Sequence, residues 1–258
     1  MRKYFFFDID GTLTDGKGFF AKIPSSTKEA IRQLKSKGHI VGIATGRPYV
    51  SSKHYAQEAG IDYMVCNGGY ACYVEGQCVE SKGMNREDCQ RLIEECLRKN
   101  IGFCVATSEN FHFITHDDTF TNSIDQSEFH ELLTVDESLV YEELPEIYRI
   151  LIAMRKGEEG RIEDYGPLVP SRYNTSYVII EPDDKYQGVL TMLKHVQGDP
   201  SDVVVFGDGV NDIKMFEHAA FSIAMGNAVD ELKAIADYVT SGCDEDGIQQ
   251  ALRHFHWI

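Results

Sequence analysis

Short apolar runs alternate with helical patterns in the first third of the chain, and this alternation restricts the possible folds more than any other feature. The apolar runs are Tyr4 to Phe7, His39 to Ala44 and Tyr63 to Cys66. A segment whose apolar residues have helical spacing separates each run from the next. Because parallel strands need crossover connections, which are usually helices, the pattern predicts an α/β fold with a doubly wound parallel sheet.

Capping and turn residues predict the boundaries of the two helices. Ser26, with Glu29 three residues later, predicts a capping box at the start of the first helix, and Gly38 predicts its end. The second helix is expected to open near Pro48 and to run to about Gly60. The apolar stripe of the first helix consists of Ala30, Ile31 and Leu34.

The pattern changes over residues 82–183, which we interpret as an inserted α+β segment. Asn85 is expected to cap a helix, and the strands Ile101 to Thr107 and Phe111 to His116 flank a predicted hairpin turn at Ser108-Glu109-Asn110. The apolar stripe of the helix is Cys89, Leu92, Ile93, Cys96 and Leu97. Two later strands are predicted at Tyr148 to Met154 and Ser176 to Ile180.

After residue 183 the alternation of strands and helices returns. The predicted helices are Gln187 to His195, a short one beginning near Asn211, Val229 to Ala236 and Ile248 to Phe255. The predicted strands are Val203 to Phe206, Phe221 to Met225 and a short edge strand at Tyr238 to Thr240. Residues 1–81 and 184–258 are therefore expected to close into one domain, interrupted by a second domain at 82–183.

Charge and hydropathy exclude several classes of partner. The formal charge is −16, from 41 acidic and 25 basic residues, and such a surface repels nucleic acid and anionic lipid. No apolar run approaches the length of a membrane span. We therefore expect neither a nucleic-acid partner nor a membrane, and any phosphate must be attracted locally.

The N-terminal segment Met1 to Phe7 places an apolar run after basic residues, but Asp8 ends that run too early for an export signal. Without such a signal, the seven cysteines are expected to be reduced thiols of a cytoplasmic protein, and none of them forms a Cys-x-x-Cys pair. They are interpreted as small buried hydrophobic residues.

Two aspartates follow the first predicted strand, in the motif Asp8-Ile9-Asp10-Gly11-Thr12-Leu13. Ligands of open α/β sheets bind at the carboxyl ends of the strands. If the backbone stays extended, Asp8 and Asp10 point the same way, and Gly11 permits the turn that follows. One carboxylate can then attack phosphorus while the other transfers protons, although a solvated loop would explain the motif as well.

Two further segments supply candidate anion ligands. Thr45-Gly46-Arg47 ends the second strand and leads into a helix. A hydroxyl together with backbone N–H groups at the start of a helix can bind an anion. A threonine that caps the helix would explain the segment equally well. Arg47 is expected either to reach the substrate or the cap, or to pair with one of the many surface carboxylates. Lys185 begins a predicted helix and suits a phosphoryl oxygen, although most lysines are solvated surface residues.

A cluster of glycines and polar residues follows the strand Val203 to Phe206, in the motif Gly207-Asp208-Gly209-Val210-Asn211-Asp212. The glycines let the backbone approach a ligand closely, and the two carboxylates suit a hard cation. A calcium loop would need more oxygen ligands, and the spacing does not match an EF-hand. Mg²⁺, which keeps several waters, is therefore the predicted ion.

Electrostatic repulsion explains why these four motifs belong together. A carboxylate at about 4 Å from a phosphate charge is repelled by about 4 kcal/mol at an effective dielectric constant near 20. Attack by Asp8 on a phosphate dianion is implausible unless cations cancel this repulsion. A divalent ion held by Asp8 and Asp208, together with Lys185, supplies that cancellation.

The four motifs, in this order and at these strand ends, resemble those of the haloacid dehalogenase superfamily over the whole chain. The insertion, together with Asn67-Gly68-Gly69 and Ala224-Met225-Gly226-Asn227-Ala228, is similar to the Cof-type sugar phosphatases of subclass IIB. The resemblance implies a Rossmann-like core domain at 1–81 and 184–258 and an α/β cap of the C2 type at 82–183. The cap would close over the site and select the substrate.

Membership of this superfamily implies a role for each matching residue. Asp8 would be the nucleophile of an aspartyl-phosphate mechanism, and Asp10 would be the acid and base. The implied phosphate ligands are Thr45, Gly46, Lys185 and Asn211, of which Asn211 would position Lys185 or the phosphate. The implied Mg²⁺ site comprises Asp8, the backbone carbonyl of Asp10, Asp208 and Asp212. Residues implied to lie near the substrate are Arg47 and Asn67.

The resemblance implies a phosphatase of small phosphorylated metabolites. Hexose phosphates are the first expectation, and pyridoxal phosphate, nucleotides and erythrose phosphate are the other substrates open in this family. Monomer and homodimer are both open. Asp10 favours phosphatase or phosphomutase chemistry, because the dehalogenases lack an aspartate there. A phosphosugar mutase and a non-catalytic phosphosugar-binding regulator are the alternatives. One departure is that Lys185 is followed by Tyr186-Gln187-Gly188, whereas many relatives have Lys-Gly directly.

A second metal site can be imagined at His112 and His116, which are four residues apart with Asp117 and Asp118 adjoining. Histidines on a strand are more often structural or exposed to solvent, and we prefer that interpretation.

Overall fold

The computed structural model describes residues 2–16, 21–129 and 132–258. Met1, the first residue of the basic N-terminal segment, lies outside them. The chain divides into two compact units, of which the first comprises Met1–Ser81 with Asp183–Ile258 and the second comprises Lys82–Pro182. In the part of the chain that is described, no helix has the length and apolar character needed to cross a membrane.

The elements follow one another along the chain in three groups. The first part of unit 1 contains β1 (Tyr4–Phe7), α1 (Ser25–Ser36), β2 (Ile40–Ala44), α2 (Tyr49–Ala59), β3 (Tyr63–Cys66), β4 (Ala71–Val74) and β5 (Gln77–Ser81). Unit 2 contains α3 (Arg86–Arg98), β6 (Phe103–Ala106), β7 (His112–Thr115), α4 (Thr119–Ser123), β8 (Leu132–Val135), β9 (Arg149–Ala153), β10 (Pro170–Ser171) and β11 (Tyr177–Ile180). The second part of unit 1 contains α5 (Lys185–Val196), β12 (Val203–Gly207), α6 (Ile213–His218), β13 (Phe221–Ala224), α7 (Asp230–Ile235), β14 (Tyr238–Val239) and α8 (Gly247–His254).

Unit 1 is built on an eight-stranded sheet in the order β14-β13-β12-β1-β2-β3-β4-β5. The strands from β14 to β3 are parallel, and β4 and β5 are antiparallel additions at the edge. Phe5 and Phe7 pack with α1, α2 and α8 on one face, whereas Phe6 packs with α5, α6 and α7 on the other. The predicted doubly wound parallel sheet is therefore confirmed.

The burial of β1 follows from its composition. All four of its residues are buried, and each fully buried phenylalanine contributes about 1.5–3 kcal/mol. Because side chains alternate between the faces of a strand, consecutive phenylalanines supply apolar contacts to both helical layers. The strand is thereby fixed at the centre of the sheet, and its carboxyl end places Asp8.

Several predicted boundaries of unit 1 are confirmed and one is wrong. Gly38 follows α1 in the left-handed region at φ 84°, and the stripe Ala30, Ile31 and Leu34 is buried. The capping box is wrong, because the helix begins at Ser25 and Glu29 instead accepts hydrogen bonds from the side chains of Arg32 and Gln33. Pro48 is the N-cap residue of α2 rather than part of its first turn.

Unit 2 contains a six-stranded sheet in the order β10-β11-β9-β6-β7-β8. Asn85 caps α3 as predicted, since its Oδ1 accepts a hydrogen bond of 3.0 Å from the backbone N–H of Asp88. The predicted hairpin is also confirmed, because β6 and β7 are antiparallel with Val105 opposite Ile114. Four members of the apolar stripe of α3 are buried, whereas the fifth, Leu97, is 52% exposed.

Candidate active site

Two carboxylates, which differ in burial, follow the end of β1. Asp8 keeps an extended backbone and is buried, and its N–H donates to the carbonyl of Phe206 on the neighbouring β12 at 3.0 Å. Asp10 is only partly buried. Gly11 adopts φ 77°, the left-handed conformation that glycine enters without steric cost, and this ends the extended segment. The turn predicted at Gly11 is confirmed.

The strand β12 brings a second carboxylate to the same edge of the sheet. Phe7 and Phe206 are in register in adjacent parallel strands, so that Asp8 and Asp208 both follow the carboxyl end of a strand. Asp208 is 1% exposed, and its Oδ1 accepts a hydrogen bond of 3.1 Å from the hydroxyl of Thr12. Asp8 and Asp208 are far apart in the sequence, but they lie close together because β1 and β12 are neighbouring strands.

Asp212 fixes the loop that follows β12. Its Oδ2 accepts hydrogen bonds from the backbone N–H groups of Asp208 and Gly209, both at 3.0 Å. A Cβ at position 207 would lie 2.6 Å from the same Oδ2, so Gly207 lets the Asp212 carboxylate approach the backbone. Asp212 therefore orients Asp208.

Lys185 is the cation of this cluster, and it is 2% exposed. Its Nζ donates to Oδ1 of Asp8 at 2.8 Å and to Oδ1 of Asp212 at 2.6 Å. The interpretation of Lys185 as a solvated surface residue is wrong. Asp8 and Asp212 thus hold the ammonium of Lys185, whereas Asn211 is exposed.

Three buried carboxylates and one ammonium leave this cluster with excess negative charge. Oxygens of Asp8, Asp208 and Asp212 lie within 4.8 Å of one another. Burial raises the pKa of Asp8 to about 7, the Lys185 charge opposes this shift, and the charges of Asp212 and Asp208 add to it. Burial alone would lower the pKa of Lys185, but the two carboxylates that it contacts raise it well above its usual range.

The excess charge and the donor set together fit a divalent metal ion. Lys185 is the cation that contacts Asp8 and Asp212, and a single positive charge does not balance three carboxylates within 4.8 Å of one another. The donors are oxygens, which hard cations prefer. Across residues 2–16, 21–129 and 132–258, this is the only cluster of three or more potential metal ligands of the His, Cys, Asp and Glu types.

Arg47, in the segment after β2, binds the side chain of Asp10. Arg47 donates from Nε to Oδ2 of Asp10 at 2.7 Å and from Nη2 to Oδ1 at 2.6 Å, which is a bidentate ion pair. The guanidinium also lies over the ring of Tyr55, 5.5 Å from its centroid. Burial lowers the pKa of Arg47, but the hydrogen bonds and charge of Asp10 outweigh it and give a net increase. Arg47 therefore contacts a carboxylate of the site.

The other predicted ligands from this segment lie nearby. Thr45 is buried, and its Oγ1 accepts a hydrogen bond of 3.1 Å from the N–H of Arg47. Gly46, after β2, lies close to Asn211, after β12, because a Cβ built on Gly46 would be 3.7 Å from Nδ2 of Asn211. Asn67 is fully buried, and its N–H donates to the carbonyl of Arg47 at 2.9 Å.

Comparison with known proteins identifies the family. A family model described as haloacid dehalogenase-like hydrolase matches residues 5–252. The chain belongs to the haloacid dehalogenase-like hydrolases. A Bacillus subtilis relative named "Putative phosphatase YkrA" is 30% identical to this hydrolase, with 97% of this chain and 96% of the relative covered. A second B. subtilis relative, named 5-amino-6-(5-phospho-D-ribitylamino)uracil phosphatase YcsE, is 26% identical over 97% of this chain and 94% of its own length.

Solved structures give the same assignment. The sugar phosphatase BT4131, of subclass IIB of this superfamily, is 28% identical to this hydrolase with a TM-score of 0.78. That alignment covers 99% of this chain and 100% of the other. The hydrolase is therefore a phosphatase of the haloacid dehalogenase superfamily, which agrees with the family resemblance of its motifs.

Two residues that support the site of this hydrolase were not among the predicted site residues. Thr12 donates to Asp208, and Asn227 donates from Nδ2 to the carbonyl of Gly11 at 2.7 Å while its Oδ1 accepts from the N–H of Cys243. Both belong to motifs singled out in the sequence. Their contacts are not apparent there, because the partner of Thr12 lies 196 residues away.

The histidines considered as a second metal site lie in unit 2 of the hydrolase. The Nε2 atom of His112 lies 3.0 Å from the hydroxyl of Thr134, and His116 is exposed with Nδ1 3.9 Å from Asp117. The two histidines are in no metal-binding cluster of the described residues. Both histidines are exposed to solvent, which is one of the two situations that the preferred interpretation names.

Proposed function

We propose that this phosphatase hydrolyses small phosphomonoesters, sugar phosphates in the first place, with Mg²⁺ and through a phosphate covalently bound to Asp8. The observation that carries the proposal is the buried ion cluster at the carboxyl ends of β1 and β12. In it, Lys185 contacts Asp8 at 2.8 Å, and the oxygens of Asp8 and Asp208 lie within 4.8 Å. Buried carboxylates held by a lysine suit attack on a phosphate more than they suit stability.

The proposed reaction has two displacement steps at phosphorus. A carboxylate oxygen of Asp8 forms a bond to phosphorus, the ester bond breaks, and Asp10 gives a proton to the departing alcohol oxygen. Asp10 then takes a proton from water as the water oxygen attacks the aspartyl-phosphate. The bond between Asp8 and phosphorus breaks, and inorganic phosphate leaves with Asp8 regenerated. The sum is one ester and one water converted to one alcohol and one phosphate.

The partial exposure of Asp10 supports its proposed role. The bidentate pair with Arg47 holds both carboxylate oxygens in one orientation, although Asp10 is 29% exposed. A partly exposed carboxylate can exchange protons with water and with a leaving group. Asp8, by contrast, is buried against Lys185, which suits a nucleophile that must be kept from solvent.

The proposed metal ligands are Asp8, the carbonyl of Asp10 and Asp208, with Asp212 orienting Asp208. When bound, Mg²⁺ would neutralise the repulsion between Asp8 and the phosphate and stabilise charge on the phosphoryl oxygens. Lys185 opposes the same repulsion from within the chain. Thr45, Gly46 and Asn211 are proposed to contribute phosphate contacts, because they follow β2 and β12, the strands on either side of β1, and because Gly46 lies close to Asn211.

The proposed substrate class rests on the comparisons and on unit 2. The relatives act, by their names, on a sugar phosphate or on a phosphoribityl compound, both of which are phosphorylated polyhydroxy compounds. We propose that Lys82–Pro182 forms the domain that selects the substrate, and that residues 1–81 with 184–258 perform the chemistry.

A panel of phosphorylated metabolites tests the substrate class. We expect release of inorganic phosphate from one or more hexose or pentose phosphates, at rates well above those for nucleotides. Isomer formation without phosphate release would favour a mutase. Binding of a phosphosugar without any turnover would favour a regulator.

Removal of divalent cations should lower the phosphatase activity at least about 10³-fold. The reason is that a restored repulsion of about 4 kcal/mol per charge pair corresponds to about three powers of ten in rate. The measurement is turnover in excess EDTA, followed by titration with Mg²⁺, which should restore activity. EDTA already saturated with Mg²⁺ is the control. Undiminished turnover in excess chelator would refute the metal assignment.

A further inference from the structure

The turn Asn67–Gly69, which follows β3, contacts two of the motifs of the active site. We propose that this turn positions Lys185 together with the Thr45–Arg47 segment, and that Gly69 and Gly188 are positioning residues for the phosphate-binding lysine. The inference rests on the proposed function, since it takes Lys185 to be a ligand of the phosphate. It concerns contacts within unit 1 only.

Two N–H groups of the turn form hydrogen bonds with the segment after β2. The N–H of Asn67 donates to the carbonyl of Arg47 at 2.9 Å, and the N–H of Gly68 donates to the carbonyl of Thr45 at 3.1 Å. Both donors are left-handed, with φ 50° at Asn67 and φ 58° at Gly68. Two neighbouring N–H groups of the turn are therefore bonded to carbonyls of the Thr45–Arg47 segment.

A carbonyl group of the turn forms a hydrogen bond with the residue that precedes Lys185. The carbonyl of Gly68 accepts a hydrogen bond of 2.8 Å from the N–H of Asp184. Gly69 has φ 101°, and a Cβ at this position would lie 1.9 Å from the carbonyl oxygen of Asp184 and 3.0 Å from the nitrogen of Lys185. Glycine is therefore required at 69 both by conformation and by the close approach of this backbone.

The first turn of α5 lies against the same glycine. A Cβ on Gly188 would lie 2.8 Å from Cα of Gly69 and 2.3 Å from Cγ1 of Val65. Gly188 is three residues after Lys185, so the two share a helix face. This contact gives a physical reason for the Lys185-Tyr186-Gln187-Gly188 spacing that departs from Lys-Gly.

Together these contacts fix the backbone from which the lysine extends. Asp184 caps α5 through a 3.1 Å hydrogen bond from the N–H of Gln187 to its Oδ1, while its own N–H is held by Gly68. Lys185 reaches Asp8 and Asp212 from this anchored position at 2.8 and 2.6 Å. A displaced turn would therefore move the ammonium away from Asp8.

Gly69→Ala tests the inference through phosphate affinity. We expect the inhibition constant of inorganic phosphate and KM each to rise about tenfold, and kcat/KM to fall about 10²-fold, as for a displacement of about 1 Å of a positioned group. Loss of folded protein would lower kcat alone and leave KM and the inhibition constant unchanged. Gly188→Ala, which needs no left-handed backbone, is expected to act in the same direction and serves if Gly69→Ala does not fold.

Gly38→Ala is the matched control. Gly38 also has positive φ, at 84°, but its added Cβ would meet nothing within 4 Å, and it lies at the end of α1. This variant should carry a similar backbone strain and keep the native KM and inhibition constant.

Lys185→Met separates the inference from the proposed function. If this variant binds phosphate as tightly as the native chain, the role of Lys185 in the proposed function is wrong. If it binds phosphate weakly while folded Gly69→Ala and Gly188→Ala retain native constants, the inference alone is overturned.

Discussion

Asp8→Asn is expected to lower the hydrolysis of sugar phosphates and aryl phosphates by at least about 10⁴-fold, the scale on which an enzyme depends on its nucleophile. The amide nitrogen and oxygen of asparagine cannot form an acyl phosphate. Steady-state release of inorganic phosphate measures the effect. Asp62→Asn is a matched control, because Asp62 pairs with Lys35 at 2.9 Å on the exposed surface. Native activity in Asp8→Asn would refute covalent catalysis by this residue.

The same variant should remain folded for an electrostatic reason. Burial raises the pKa of Asp8 from 3.8 to about 7. Between these values the folded state holds a proton that the unfolded state releases, so this group makes stability fall as the pH rises through that window. Asparagine removes this contribution. In EDTA near pH 7, the thermal midpoint of Asp8→Asn should equal or exceed that of the native chain.

Lys185→Met is expected to cost about 3–5 kcal/mol of unfolding free energy, because it leaves buried carboxylates without their cation. It should also lower kcat by about 10²–10³-fold through loss of charge stabilisation. Urea unfolding can be followed by the fluorescence of Trp257, the single tryptophan, which packs against Phe5 of β1.

Added Mg²⁺ should restore part of the stability of Lys185→Met, because it neutralises some of the same carboxylates, but not the activity. Lys28→Met is the control, since Lys28 forms an exposed ion pair of 2.9 Å with Glu58, and such pairs contribute at most about 1 kcal/mol. A Lys185→Met variant as stable as Lys28→Met would contradict the view that the buried cluster is held by this cation.

The sheet could be predicted from the sequence because its strands are buried on both faces. Tyr4 to Phe7 and Tyr63 to Cys66 are uninterrupted apolar runs, and both have the predicted bounds in the structure. The hairpin of β4 and β5 has no such signal, because every residue of β5 is exposed. The available indication was the turn at Glu75-Gly76, where both residues have positive φ, as two-residue hairpins require.

Ion pairs between residues that are far apart in the sequence could not be predicted in the same way. The motifs indicated which residues carry the chemistry, and the structure brings Asp8, Lys185, Asp208 and Asp212 into one cluster. Which acid pairs with which base could not be read from a chain with 41 acidic residues. The pairing of Arg47 with Asp10, left open by the sequence, depends on how α2 and the turn at Gly11 are oriented.

The most direct test is to trap the phosphate on the chain. Asp10→Asn should slow hydrolysis of the aspartyl-phosphate, while p-nitrophenyl phosphate, whose leaving group needs little protonation, still transfers its phosphate. Samples quenched during turnover and reduced with borohydride should contain homoserine at position 8, formed from the acyl phosphate. Homoserine should be absent without substrate. A burst of p-nitrophenol with no homoserine at position 8, or with homoserine at another position, would contradict the account.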